Sequence, residues 1–160
     1  QGFVAGLIGY AAVALFFGVV NVVSGHSFFY TAAVLGHVLL GTDPASVTEL
    51  VEPAPVFAYN GVHLLLFLVF GFVASWLVEE TDRHPAFWYL VFFAFLVGFF
   101  FNVALVTVFT VPAPADAVPW GSIVAANLLA GLGMGTYLAG RHPGLRGEVE
   151  SRGDPERPAG

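Results

Sequence analysis

Apolar residues along this chain fall into four long runs, at residues 2–24, 56–78, 85–111 and 120–139. A helix of about 20 such residues crosses the ~30 Å hydrocarbon core of a bilayer, and each run is that long. A fifth run, residues 26–41, is too short to span and carries His26 and His37. Exposed irregular backbone is not tolerated in lipid, so this run is expected as a short interfacial or re-entrant helix on the outer side. The predicted fold is all-α and integral to the membrane: four transmembrane helices plus one short outer helix.

Polar stretches and prolines mark the joints. Gly25 ends the first run, and Pro44, Pro53 and Pro55 punctuate an acidic linker. Residues 79–84 read as a tight polar turn. Pro85 suits the first turn of the third span, where a missing N–H costs nothing. PAPADAVP at 112–119 cannot continue that helix. Gly140 is placed to cap the last one. The first run is too long for a signal-peptide core of about 7–15 residues and has no charged leader before it, so it is expected to be retained. Residues 141–160 form a polar cytoplasmic tail with almost no apolar residue. Such a composition does not fold alone.

Composition strengthens the membrane assignment. Of 160 residues, 58% are hydrophobic and 10% charged, with mean hydropathy +0.83. A soluble domain carries about 25% charged residues. Cysteine is absent, which removes disulfides, thiolate metal sites and cysteine nucleophiles. All five basic residues are Arg and none forms a patch, so nucleic-acid binding is not expected. Arg83 follows the second span, and Arg141 and Arg146 follow the fourth. The loops at the other end contain no Arg or Lys. The positive-inside rule then places both termini in the cytoplasm, in a bacterial inner membrane.

Strongly polar side chains sit in the outer half of each span: Asn21, the pair Asn60 and His63, Asn102 and Asn127. Counted inward at 1.5 Å per residue, His63, Asn102 and Asn127 lie at a shared depth of roughly 10–14 Å. They fall on stripes of small residues. Gly18 shares a face with Asn21, Gly71 with Asn60 and His63, Gly98 with Asn102, and Gly131 and Gly135 with Asn127. Small residues at such spacing let helices approach closely in lipid. A polar layer joining the four spans is the expected result, with Asn102 or Asn127 bonded to His63. A weak internal echo, FFGVVNVV at 16–23 beside FFFNVALV at 99–106, fits either a duplicated hairpin or shared composition.

Two roles are open to this layer. As glue, an interhelical Asn bond contributes about 0.6 kcal/mol in membranes. As a site, His63 would be an axial ligand to haem or (bacterio)chlorophyll, or part of a proton relay, because ionisable groups inside membranes tend to be functional. Metal sites built on paired carboxylates or HExxH are absent from the sequence. No serine has a base and acid in a recognisable arrangement. No catalytic residue is assigned. The leading expectation is a small non-catalytic accessory subunit of a larger membrane complex, its partners being lipid and other membrane subunits. The host expected on general grounds is a bacterial respiratory or photosynthetic electron-transfer assembly. A haem- or pigment-binding subunit using His63 and a small transporter or channel are the alternatives.

Overall fold

The computed structural model describes residues 1–47, 51–83 and 118–142. Among these the chain is wholly helical: α1 spans Gly2–Val23, α2 Tyr30–Leu40, α3 Pro53–Arg83 and α4 Trp120–Arg141. A single 3-10 turn, Pro44–Ser46, lies between α2 and α3. Three of these helices, α1, α3 and α4, are long and apolar enough to cross a membrane. At 11 residues, α2 is not. The expected span over 85–111, with Asn102 and Gly98, and the tail beyond 142 with Arg146 lie outside the described residues.

One boundary differs from the sequence expectation. The polar run after Val78 does not turn; α3 continues through it to Arg83. Glu, Thr and Asp are tolerated within a helix, and Thr81 satisfies its buried hydroxyl by donating to Leu77 O at 2.8 Å. At the other end α3 begins at Pro53 and takes Pro55 into its first turn. A proline there removes only an N–H that has no helical partner anyway.

α1 is the hub. It packs along both α3 and α4, which touch each other little, while α2 packs against the start of α3. The order of contacts makes α1 antiparallel to both. Gly2 lies against Gly71 and Phe72, Gly6 against Phe67 and Leu68, and Gly9 against Phe67 and Met134. Near the same end, Ala5, Val78 and Leu138 form one buried cluster. Gln1, Arg83 and Arg141 therefore lie towards one end of the bundle, as the distribution of Arg along the chain implies.

The α1–α3 seam explains why α1 starts with glycines. A Cβ on Gly2 would stand 2.7 Å from Phe72 Cα, and one on Gly6 would stand 2.8 Å from Leu68 Cα. These are backbone atoms, so the helices touch main chain to main chain. Lipid supplies no hydrophobic drive between helices, and such close contact replaces it with dispersion attraction and backbone fit. Gly9 marks the point where three helices meet. A Cβ there would press on Phe67 of α3 and Met134 of α4 together.

The opposite end is closed by α2. Gly25 turns the chain after α1 with φ 82°, and His26 N donates to Asn21 O at 2.9 Å. Val34 and Leu35 of α2 then pack with Val118 and Ile123 at the start of α4, and Phe17 and Tyr59 border this cluster. Gly36 lies directly on the Pro55 backbone, so α2 seats on the first turn of α3. Its burial from Ala33 to His37 is continuous. Gly41, with φ 69°, ends α2 in the left-handed conformation that glycine adopts without strain. Thr42 N bonds back to His37 O at 2.9 Å, closing the helix end.

Candidate functional site

Asn60 is the first polar residue that α3 carries into its apolar stretch, and it faces α1. Tyr10 of α1 donates its hydroxyl to Asn60 Oδ1 at 2.9 Å. Asn60 Nδ2 donates to Val56 O at 2.9 Å, one turn earlier on its own helix. His63, one turn further on, lies in an aromatic cage. Its ring centroid is 4.9 Å from Phe67, 5.1 Å from Tyr59 and 6.0 Å from Tyr10. Among the described residues its Nε2 is buried with no hydrogen-bond partner.

Asn21 lies in the last turn of α1 and is 4% exposed. Its Nδ2 donates to Phe28 O at 3.1 Å, and its Oδ1 accepts from Thr31 Oγ1 at 2.8 Å. It therefore fastens the α1–α2 connection and not a neighbouring span. Asn127 donates to Ile123 O at 2.8 Å, a bond within α4. No bond between Asn127 and His63 is found, although both line one small cavity with Phe67 and Ile123.

The small-residue positions divide. Gly71 meets the α1 backbone, and Gly18 lies under the Phe28 ring. Gly131 is partly buried. Gly135 is exposed, and a Cβ there would meet nothing within 4 Å. The buried line of α4 runs one residue earlier than the Asn127 stripe, through Ile123, Ala126, Ala130 and Leu138.

Four residues important here, Tyr10, Gly2, Gly6 and Gly9, are not singled out by the sequence pattern. Tyr10 is the partner of Asn60, and a tyrosine amid alanines and glycines in mid-span was the available signal. The Gly2–Gly6 pair with Gly9 is the α1 face that meets α3. Its four-residue spacing was legible, but the face holding Asn21 drew the assignment instead.

The other described histidines are structural or superficial. His37 is buried, and its Nδ1 lies 2.7 Å from Thr42 Oγ1, so it locks the end of α2. His26 is exposed and stacks on Tyr30 at 4.2 Å. α2 begins only at Tyr30, so these two histidines do not share a helix face. His142 lies 2.7 Å from Gln1 Oε1, joining the far ends of α1 and α4. Among the described residues no three metal-ligating side chains converge.

The space around His63 is small. A cleft of about 70 Å³ between α1, α2 and α3 and a second cavity of about 30 Å³ toward α4 are both lined by its ring. Sites that bury a drug-sized molecule measure roughly 300–1,000 Å³. A tetrapyrrole is larger than the space that the described residues enclose beside His63.

No known family, curated protein or solved structure matches this chain. The functional reading therefore rests on the side chains themselves. Tyr10→Phe tests the bond between the Tyr10 and Asn60 side chains that joins α1 to α3. Losing it should cost about 0.5–1.5 kcal/mol. In a chain of this size that lowers the melting temperature by about 2–5 °C. Thermal denaturation of the purified protein in detergent measures it, and a melting curve identical to wild type would show that the bond carries no stability.

Proposed function

We propose that this protein is a small accessory subunit of a larger membrane complex and does no covalent chemistry of its own. In this reading it has four transmembrane helices, α2 as an interfacial or re-entrant element on the outer side, and both termini in the cytoplasm of a bacterial inner membrane. One observation carries the proposal. Most polar side chains of the described spans fasten one part of this chain to another, while among the described residues one side of α3 is apolar and exposed. Tyr10, Asn21, Thr31, Asn60 and Asn127 are all engaged in internal bonds. On α3, Phe57, Leu65, Phe72 and Trp76 are each more than half exposed. These residues follow one another at eight, seven and four positions, so they form a single face. Lipid covers such a face adequately, and so does another apolar helix. A host that transfers electrons, respiratory or photosynthetic, remains the reading of choice for small apolar subunits of this kind. The haem or pigment reading has less to support it, because the space at His63 is too small.

Purification from the native membrane in a mild detergent tests the proposal. The expected particle is several times heavier than the 17.0 kDa chain, contains other membrane proteins in fixed ratio, and absorbs in the visible. Leu65→Asn should lower recovery of that particle while leaving the melting of the isolated chain unchanged. A monodisperse, colourless particle containing only this chain would sink the subunit reading.

A further inference from the structure

We propose that the cleft between α1, α2 and α3 is filled with water, and that this water is the hydrogen-bond partner His63 lacks. The inference goes beyond the subunit reading and does not depend on it. On α1 the cleft lining runs from Asn21 back to Tyr10, about 16 Å of helix at 1.5 Å per residue. Phe28 and Phe29, both partly exposed, stand at its outer rim, and Tyr59 and His63 stand at its foot. Its walls carry six hydrogen-bonding side chains: Tyr10, Asn21, Thr31, Tyr59, Asn60 and His63.

Volume and bonding capacity both favour water over a vacant apolar space. A buried water needs roughly 10–15 Å³ of such room and two to four polar partners. The cleft offers about 70 Å³. Asn60 uses one of its two N–H groups on Val56 O, so the second is left to donate. The Tyr10 oxygen donates to Asn60 and keeps lone pairs with which to accept. His63 Nε2 has no partner among the described residues. Nε2 is closed over by its neighbours, so bonding to the water requires the ring to turn toward the cleft that His63 lines. Leaving a buried nitrogen without a partner costs more than immobilising one water beside it. The consequence is a histidine deep in a membrane span that exchanges protons with water at one face of the bundle.

The absence of cysteine makes a direct test clean, since any introduced thiol is the sole one. Ala14 lines the cleft, Ser24 is exposed at the end of α1, and Val69 is exposed on the outer side of α3. Each is changed to Cys in the full chain, reconstituted in lipid vesicles and treated with methyl methanethiosulfonate. Only thiolate reacts, and thiolate forms only in contact with water, so Ala14→Cys should react within about tenfold of Ser24→Cys and at least about tenfold faster than Val69→Cys. A rate equal to that of Val69→Cys overturns the proposal. The unaltered protein supplies the second measurement. With ¹⁵N-labelled histidine in bilayers, water-edited solid-state NMR should transfer polarisation to the His63 ring about as fast as to exposed His26. The His63 signal is identified by its loss in His63→Gln. A His63 signal that builds up only as slowly as that of lipid-facing backbone overturns the proposal whatever the labelling result.

Discussion

Gly71→Ala should loosen the whole bundle, and Gly71→Leu should leave no stable folded particle. A Cβ at Gly71 would stand 2.7 Å from Gly6 Cα and closer still to Gly2 O and Gly6 N. All three are main-chain atoms and cannot swing aside as a side chain can. The added methyl must therefore push α1 and α3 apart along their common seam, where Gly2 and Gly6 make the reciprocal contacts. Overpacking a close-packed site costs about 1–3 kcal/mol, and the backbone contact puts Gly71→Ala at the upper end, near 3 kcal/mol. Opposing this is the helix preference for Ala over Gly, roughly 0.5–1 kcal/mol, so overpacking wins. The same argument orders three glycines. At Gly133 the nearest atom to a new Cβ is the Ile8 Cγ2 methyl at 3.1 Å, which can yield, so Gly133→Ala should cost little. At Gly135 a Cβ meets nothing, so Gly135→Ala should be neutral or gain the helix preference. Thermal melting in detergent should give the order Gly71→Ala far below Gly133→Ala, with Gly135→Ala at or above wild type. If Gly135→Ala falls as far as Gly71→Ala, the packing of α1 on α3 described here is wrong.

That ordering also shows what could be read from the chain. The apolar runs at 2–24 and 120–139 locate α1 and α4 to within two residues, because length and composition alone decide where a helix can cross lipid. Faces are another matter. A helix apolar on every side gives no periodic signal, so the stripes were assigned from polar residues and small neighbours. On α1 that choice captured Gly18 and Asn21, which are buried, and passed over Gly2, Ala5, Gly6 and Gly9, which are buried too. On α4 it selected Gly131 and Gly135, while the buried line runs through Ala126 and Ala130. A shift of one residue rotates a helix by 100°, which composition cannot detect.

The polar residues were easier to find than to pair. Asn60 and His63 do share one cleft, and Asn21 lines its outer part. The partners were missed because each lies at a contact that only the tertiary arrangement creates. Tyr10 is fifty positions from Asn60, and a hydroxyl amid alanines carries no sign of which helix it will meet. Asn21 has its partners ten residues or fewer away, in a connection whose path depends on the turn at Gly25. What looked like a layer of amides across four spans is, in the described part, two local fastenings and one bond between spans.

The fastening at Asn21 should be the strongest of these. Asn21→Leu removes an acceptor from Thr31 Oγ1 and a donor from Phe28 O at a position where Asn21 and Thr31 are both 4% exposed. An interhelical amide with alternative partners contributes only about 0.6 kcal/mol. Asn21 and Thr31 also line the cleft in which we place water, and that water takes up part of the loss, so the lower end of the range for buried polar groups applies, about 1 kcal/mol for each of the two bonds. The expected loss is therefore about 2 kcal/mol, above that of Tyr10→Phe. Thr31→Val removes one of the two bonds and should cost about 1 kcal/mol. Because both changes delete the same Oδ1 bond, the double variant should be less destabilised than the sum by about 1 kcal/mol. Asn21→Asp distinguishes the two bonds. It keeps the acceptor for Thr31, loses the donor to Phe28 O and sets a carboxylate oxygen against that carbonyl, so it should be worse than Thr31→Val. Unfolding titrations in mixed micelles give the cycle, and amide hydrogen exchange at His26 and Thr31 reports the connection directly. Faster exchange there in Asn21→Leu would show α2 coming loose before the spans separate. That matters for the cleft, since Phe28, Phe29 and Thr31 wall its outer half, and a loosened α2 would open the way to His63. An additive cycle, or an Asn21→Leu protein within about 0.5 kcal/mol of wild type, would mean that the α1–α2 turn is held by its backbone bonds alone.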